Sequence, residues 1–285
     1  MHRTFICHSP QNTHTPVIYN NPHSGRIYNV NFLRQTALSF KEMRLSEDFY
    51  VDQLLDSVPE SGSFLLEACF PRSFVDVNRS PSDLDEKLIA KLNSVGVNPR
   101  TAAGLGVIPR IVGDGIEIYH DKLSLEEVKF RLDTFYFPYH NKLQELINRA
   151  IESFGVAILF DVHSMPHNCL ASLPDGHSPT PEIVLGDCFG TSCSSVFSQE
   201  VFDVFVSEGF SVIRNNPFSG GFITKNYGGS HQNVQAIQIE IDRSLYLDEK
   251  NFTIHDGFFK LKKKLRNIFH ILSETIDKKV SFFKF

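Results

Sequence analysis

Apolar residues along the chain fall into short runs separated by helical repeats. Pro16-Val-Ile-Tyr19 predicts a buried strand that runs straight into the loop Asn20-Asn-Pro-His-Ser-Gly25. Phe64-Leu-Leu-Glu-Ala-Cys69, Phe74-Val-Asp-Val77, Ile183-Val-Leu185 and Ser211-Val-Ile213 predict further strands. Val156-Ala-Ile-Leu-Phe160 is apolar throughout, which suits a central strand covered on both faces. Ala236-Ile-Gln-Ile-Glu-Ile241 alternates, so Ala236, Gln238 and Glu240 share one face and Ile237, Ile239 and Ile241 the other.

Between these runs the period lengthens. Leu45, Phe49, Leu54 and Leu55 predict a helix around Leu45 to Ser57, with Ser46 as its N-cap. Leu123 to Ser153 is the longest helical pattern, and Pro138 predicts two helices or a kink within it. Phe258, Leu261, Leu265, Ile268, Phe269 and Leu272 predict a closing amphipathic helix over Phe258 to Ile276. Strands alternating with helices predict a three-layer α/β/α fold with a mixed, mostly parallel sheet, read as a single domain over residues 1–285. In such sheets ligand sites gather beyond the carboxyl ends of the strands.

Composition narrows the partners. The net charge is -5, and the one basic segment, Lys260-Leu-Lys-Lys-Lys-Leu-Arg266, lies in the closing helix as a solvated face, so no nucleic-acid partner is expected. No apolar run approaches membrane-spanning length and the N-terminus lacks a secretory apolar region, so no membrane association is expected. Five cysteines with no CxxC spacing fit a reducing cytoplasm.

Polar residues concentrate in three clusters, Asn21-Pro-His-Ser-Gly25, Asp161-Val-His-Ser164 and Gln238-Ile-Glu240. His-Ser recurs in two of them, next to strands and acids, which points to a metal. A catalytic zinc takes three protein ligands and keeps one open position. His23 and His163 supply two imidazoles. Arg26 stands where a compact His-x-x-Glu would have its carboxylate, so the third ligand is sought at Glu47, Asp48 or Asp52, with Asp48 preferred. Asp161, two residues before His163, is placed to hold an imidazole N–H.

Glu240 lies in an apolar strand, where a carboxylate needs a partner or a metal, and beside an activated water it is a general base. Gln238 on the same face is read as a substrate contact. Arg72 and Arg79 suit a carboxylate or an oxyanion, because guanidinium binds either bidentately. Tyr139 and His140 are candidates for substrate contact or proton donation. The Gly-rich segment Asn216-Pro-Phe-Ser-Gly-Gly-Phe222 is read as a loop closing over substrate, with Asn216 as a contact.

Together these residues resemble the N-formylglutamate amidohydrolase family over about residues 17 to 250. The resemblance rests on Asn21-Pro-His-Ser-Gly25, Arg72-Ser-Phe-Val-Asp-Val-Asn-Arg79, Pro138-Tyr-His140, Asp161-Val-His-Ser-Met165, Gly186-Asp187, Asn216-Pro-Phe218, Gly220-Gly221, Gln238-Ile-Glu240 and Leu245-Tyr-Leu-Asp-Glu249, in the expected order. Leu247 stands where the family commonly has Met, and Asp242 where it often has Asn. The resemblance implies a zinc-carboxypeptidase-like fold and hydrolysis of a small N-acyl amino acid, most simply N-formyl-L-glutamate, by a metal-activated water. It implies His23 and His163 as metal ligands, Glu240 as base, Arg72 as oxyanion stabiliser, and Asn78 with Arg79 as the grip on the substrate carboxylate. The rival readings are a carboxypeptidase-like peptidase, a deacylase of another N-acyl amino acid, and a non-catalytic module that binds amino acids or peptides.

Overall fold

The apolar run ending at Phe160 belongs to a longer strand, which continues to Met165 and carries Asp161 and His163 inside the sheet. The computed structural model describes residues 3–92, 98–113, 115–172, 180–229 and 233–283. Strands β1 (Phe5–His8), β2 (Val17–Asn21), β3 (Phe64–Ala68), β4 (Ala157–Met165), β5 (Ile183–Gly186), β6 (Val212–Arg214) and β7 (Val234–Asp242) form one seven-stranded sheet in the order β1-β3-β2-β4-β7-β5-β6. The pairs β2–β4, β4–β7 and β5–β6 are parallel, and β5 runs antiparallel to β7. The fold is therefore α/β on a mixed, mostly parallel sheet.

Contacts divide the chain into two compact units. One comprises Met1–Ile6, Pro22–Glu47 and Glu67–Leu143, and the other Cys7–Asn21, Asp48–Leu66 and Gln144–Phe285. In the second, alternation does what the sequence predicts. Ile237, Ile239 and Ile241 of β7 join Ile158, Phe160 and Val162 of β4 in the core. Helices Ser195–Ser207 and Gly257–Lys279 bury Phe197, Val201, Leu261, Leu265 and Ile268 in that same core. The opposite face of the strand pair carries the polar residues, and both strands are buried along their whole length.

One helix expectation is corrected. No helix spans Leu45 to Ser57. The segment breaks into a 3-10 turn at Arg44–Ser46, one α-helical turn at Val51–Leu54 and a 3-10 turn at Val58–Ser61. Ser46 ends the first turn and caps nothing, and Tyr50 precedes the second with φ 58. The interruption coincides with two acids held by side chains, Glu47 by the neighbouring Arg44 and the distant Tyr28, and Asp48 by the distant Arg243.

The expectation of two helices or a kink around Pro138 holds, with a π-helical turn as the joint. Helix α1 (Leu125–Arg131) passes through a π-helical turn, Leu132–Tyr136, directly into α2 (Phe137–Phe154). Proline has no N–H, so the Thr134 carbonyl lacks its α-helical donor. The Thr4 hydroxyl donates to that carbonyl at 3.2 Å. Among the described residues no helix is long and apolar enough to cross a membrane.

Phe74 to Val77 is not a strand but a turn-rich loop. Its amides are committed to backbone carbonyls outside any strand ladder: Phe74 N–H donates to Pro71 O, and Asp76 N–H to Val107 O. Arg131, fully buried on α1, donates to Phe74 O (3.2 Å), Tyr119 Oη (2.7 Å), Gln35 Oε1 (2.7 Å) and Glu127 Oε1 (2.8 Å). Its guanidinium also lies 4.3 Å from the Phe74 ring centroid. Removing one partner of a buried ion pair leaves the others unpaired. Arg131→Met is therefore expected to destabilise the protein by about 3–5 kcal/mol. Urea unfolding measures this, and a loss below about 1 kcal/mol would contradict so central a role.

Candidate active site

Register brings the polar residues of the strand pair into rows. Asn20 of β2 pairs with Asp161 of β4, and Asp161 with Gln238 of β7, while His163 pairs with Glu240 one step on. Side chains two apart on a strand share a face. Asp161, His163, Gln238 and Glu240 therefore form one buried polar patch, each at most 7% exposed.

Hydrogen bonds within the patch fix the direction of each side chain. Asn20 Nδ2 donates to Asp161 Oδ1 at 2.7 Å. His163 Nε2 stands 3.0 Å from Asp161 Oδ2, and His163 Nδ1 3.1 Å from Asp48 Oδ2. Burial opposes a charge on this imidazole. Asp161, Asp48 and Glu240 outweigh it and hold the His163 pKa well above the usual histidine range. The other oxygen of Asp48 accepts from Arg243 Nη2 at 3.0 Å. Arg243 in turn donates to Ser164 Oγ and O, both at 3.1 Å. Gln238 Oε1 accepts from Gly221 N–H at 2.6 Å, and Gln238 Nε2 donates to Glu240 Oε1 at 2.7 Å.

His163 Nδ1 and Asp48 Oδ2 stand at hydrogen-bond distance, a spacing that also suits two ligands of one metal. Two donors on one tetrahedral zinc, each about 2.1 Å away, stand roughly 3.4 Å apart. Nδ1 and Oδ2 here are 3.1 Å apart, with Asp161 on the far ring nitrogen as the orienting partner such a ligand needs. His23, Asp48 and His163 are all buried, and each offers one atom of the ligating kind. Glu47, the alternative third ligand, is occupied by Tyr28 Oη (2.5 Å) and Arg44 Nε (2.9 Å).

The loop after β3 has its own centre, Asp76. His23 Nε2 lies 2.8 Å from Asp76 Oδ1, Asn78 N–H donates to that oxygen at 2.9 Å, and Arg72 Nη2 donates to Oδ2 at 2.7 Å. Arg79 Nη2 stands 4.0 Å from Oδ2. Burial pushes this carboxyl upward, but Arg72, His23 and Arg79 hold it well below the usual carboxylate range. Arg79 is also fixed through its donors, Nε to Leu105 O (3.0 Å) and Nη1 to Asn78 O (2.8 Å).

Side chains of the helical run Leu125–Phe154 hold the carbonyls of this loop. Arg131 takes Phe74 O, His140 Nε2 lies 2.9 Å from Val77 O, and Tyr136 Oη donates to Arg79 O at 2.8 Å. His140 thus meets the loop backbone, and its neighbour Tyr139 is fully buried. Gly25, two residues after His23, is required by close packing: a Cβ there would lie 2.2 Å from Phe70 O. Asn216 is exposed, and its neighbour Asn215 (φ 59) binds Asp187 instead.

Sequence reasoning missed Asp76, Arg131, Tyr136 and Arg243 as organisers of the site. For Asp76 a signal was present: a lone acid between two arginines in a short apolar stretch. Nothing local marked Arg243, which meets Asp48 across 195 residues.

The model of the family described as N-formylglutamate amidohydrolase (FGase) matches residues 15–247. The N-formylglutamate deformylase of Pseudomonas putida is 30% identical over 237 residues, 82% of each chain. That of Pseudomonas aeruginosa is 33% identical over 206 residues, 71% of each. The crystal structure of N-formylglutamate amidohydrolase from Ralstonia eutropha JMP134 superposes with TM-score 0.90 at 30% identity, covering 96% of this chain and 99% of that one. With the fold, the motifs and these relatives in agreement, this chain belongs to the N-formylglutamate amidohydrolase family.

Proposed function

We propose that the chain hydrolyses the amide bond of N-formyl-L-glutamate to formate and L-glutamate, with one divalent metal held by His23, Asp48 and His163. The observation that carries this reading is the buried His163–Asp48 pair at ligand–ligand spacing, on the strand face that also carries Glu240, in a chain of this family. Two imidazoles and one carboxylate are the donor set of many hydrolytic zinc sites, which favours zinc. With Asp161 on His163 Nε2, the ring's Nδ1 beside Asp48 is the proposed ligand atom of His163.

The metal, when bound, supplies a Lewis acid for the scissile carbonyl and lowers the pKa of water. The remaining work belongs to side chains. Glu240 takes the proton of the attacking water and delivers it to the leaving amine as the C–N bond breaks. Arg72, steadied by Asp76, donates to the oxyanion. Arg79 and Asn78 bind the glutamate carboxylate, Asn216 completes the substrate's surroundings, and His140 steadies the loop through Val77 O; Tyr139, expected as a substrate contact, is fully buried and does not reach the substrate. The reaction belongs in the reducing cytoplasm, as the cysteine usage suggests.

Wild-type protein with added zinc is expected to release formate from N-formylglutamate faster than from a panel of other N-acyl amino acids. A preference for another acyl group would reassign the substrate. Glu240→Gln is expected to keep the metal and lose about 10²–10⁴-fold in kcat; wild-type turnover would remove it as the base. His163→Ala should empty the site, as read by elemental analysis after dialysis, and undiminished metal content would exclude His163 as a ligand. Arg79→Ala should raise KM for acidic substrates on the order of 30-fold, and an unchanged KM would move carboxylate recognition elsewhere.

A further inference from the structure

Gln238 has two amide ends, and the fold assigns each of them. A backbone N–H only donates, so the atom of Gln238 that lies 2.6 Å from Gly221 N must be the oxygen. The nitrogen must then face Glu240 Oε1, 2.7 Å away, whichever way the side-chain amide is first drawn. Gln238 therefore presents a fixed donor to the carboxylate two residues along its own strand.

Gly221 reaches Gln238 because the strand beside β7 has no side chain at the crossing. Gly186 of β5 is the register partner of Gln238. A Cβ on Gly186 would lie 2.7 Å from both Gly220 N and Ser219 C. The segment Ser219–Gly221 thus rests on bare strand backbone, and Cys188 N–H tethers it by donating to Ser219 O at 2.7 Å. Gly220 has φ +122, and a Cβ there would meet Cys188 Sγ at 2.7 Å, so glycine is required at this step as well.

We propose that Gln238 is a positioning residue for Glu240, locked by the Gly221 N–H of a loop seated on Gly186. It aims the carboxylate and does not read the substrate. The Gly-rich segment that looks like a substrate cover then also sets the aim of the base. This inference rests on the reading of Glu240 as general base.

The test is Gln238→Met, which removes both ends of the link at similar volume, beside Gln238→Glu, which keeps the acceptor for Gly221 and loses the donor to Glu240. With folding checked by thermal melting, both variants should lose about 10–100-fold in kcat, with KM for N-formylglutamate within about 3-fold of wild type. Gly186→Ala, which lifts the loop, should lower kcat in the same way. A raised KM with kcat intact would make Gln238 a substrate contact and overturn the proposal. So would a Gln238→Glu enzyme with wild-type kcat, since the loop anchor alone would then suffice. A crystal structure of Gln238→Met tests the positioning role without turnover. Glu240 is expected to leave its place while Asp161 and His163 keep theirs, and an unmoved Glu240 would refute the role. If Glu240→Gln turns over like wild type, the base assignment fails by itself. The crystal structure still decides whether Gln238 holds that side chain.

Discussion

A carboxylate taken out of water must be given partners, and three buried aspartates set the terms of this molecule. Asp161, Asp48 and Asp76 are each at most 2% exposed. An isolated charge at such sites is prohibitive, and removing one partner of a buried pair typically costs about 3–5 kcal/mol. Each aspartate therefore recruits cations and N–H donors, and in doing so fixes them in space. Asp161 collects Asn20 and His163, Asp48 collects Arg243 and His163, and Asp76 collects His23, Arg72 and the Asn78 amide. The residues proposed to perform the chemistry are thus the same residues that balance buried charge.

The arrangement has a cost in foldability and a benefit in order. Imidazoles gripped at Nε2 lose rotational freedom before any ligand arrives, which is preorganisation of the kind that metal sites and oxyanion donors need. Among the described residues, the loop that carries Arg72, Asn78 and Arg79 has no ladder partner to stiffen it. Its carbonyls are instead held by Arg131, His140 and Tyr136 from successive turns of one helical run. Those bonds explain why aromatic and cationic residues crowd that run, a composition that helix propensity does not require. The π turn just before Pro138 sits among them, between Arg131 and His140.

Glycine plays the opposite part. At Gly25 and Gly186 the missing side chain admits another stretch of backbone to contact distance. One closes the turn behind His23 against Phe70, and the other seats the Ser219–Gly221 segment above the strand pair. Backbone amides delivered in this way are rigid donors. Through Gln238 one of them reaches the Glu240 carboxylate, which it does not itself touch.

Much of this was written in the chain itself. The alternation of Ala236 to Ile241 determined which face of β7 holds Glu240, because a strand has a period of two and three isoleucines must be buried. The helical repeat from Phe258 determined the closing helix for the same reason of period. The ordered motifs around His23, Arg79, His163 and Glu240 determined the family. The sequence did not reveal that Phe74–Val77 is a loop or that Leu45–Ser57 is broken into turns. An apolar run in a window does not show where its amides and carbonyls will find partners. Here those partners are side chains far along the chain, such as Arg131 for Phe74 and Arg243 for Asp48. Tertiary structure alone decided that Asp48 faces His163 across 115 residues and that Gln238 is spent on Glu240. Hydrogen bonding and charge balance act through space, and spacing along a sequence records only the neighbours that periodicity brings together.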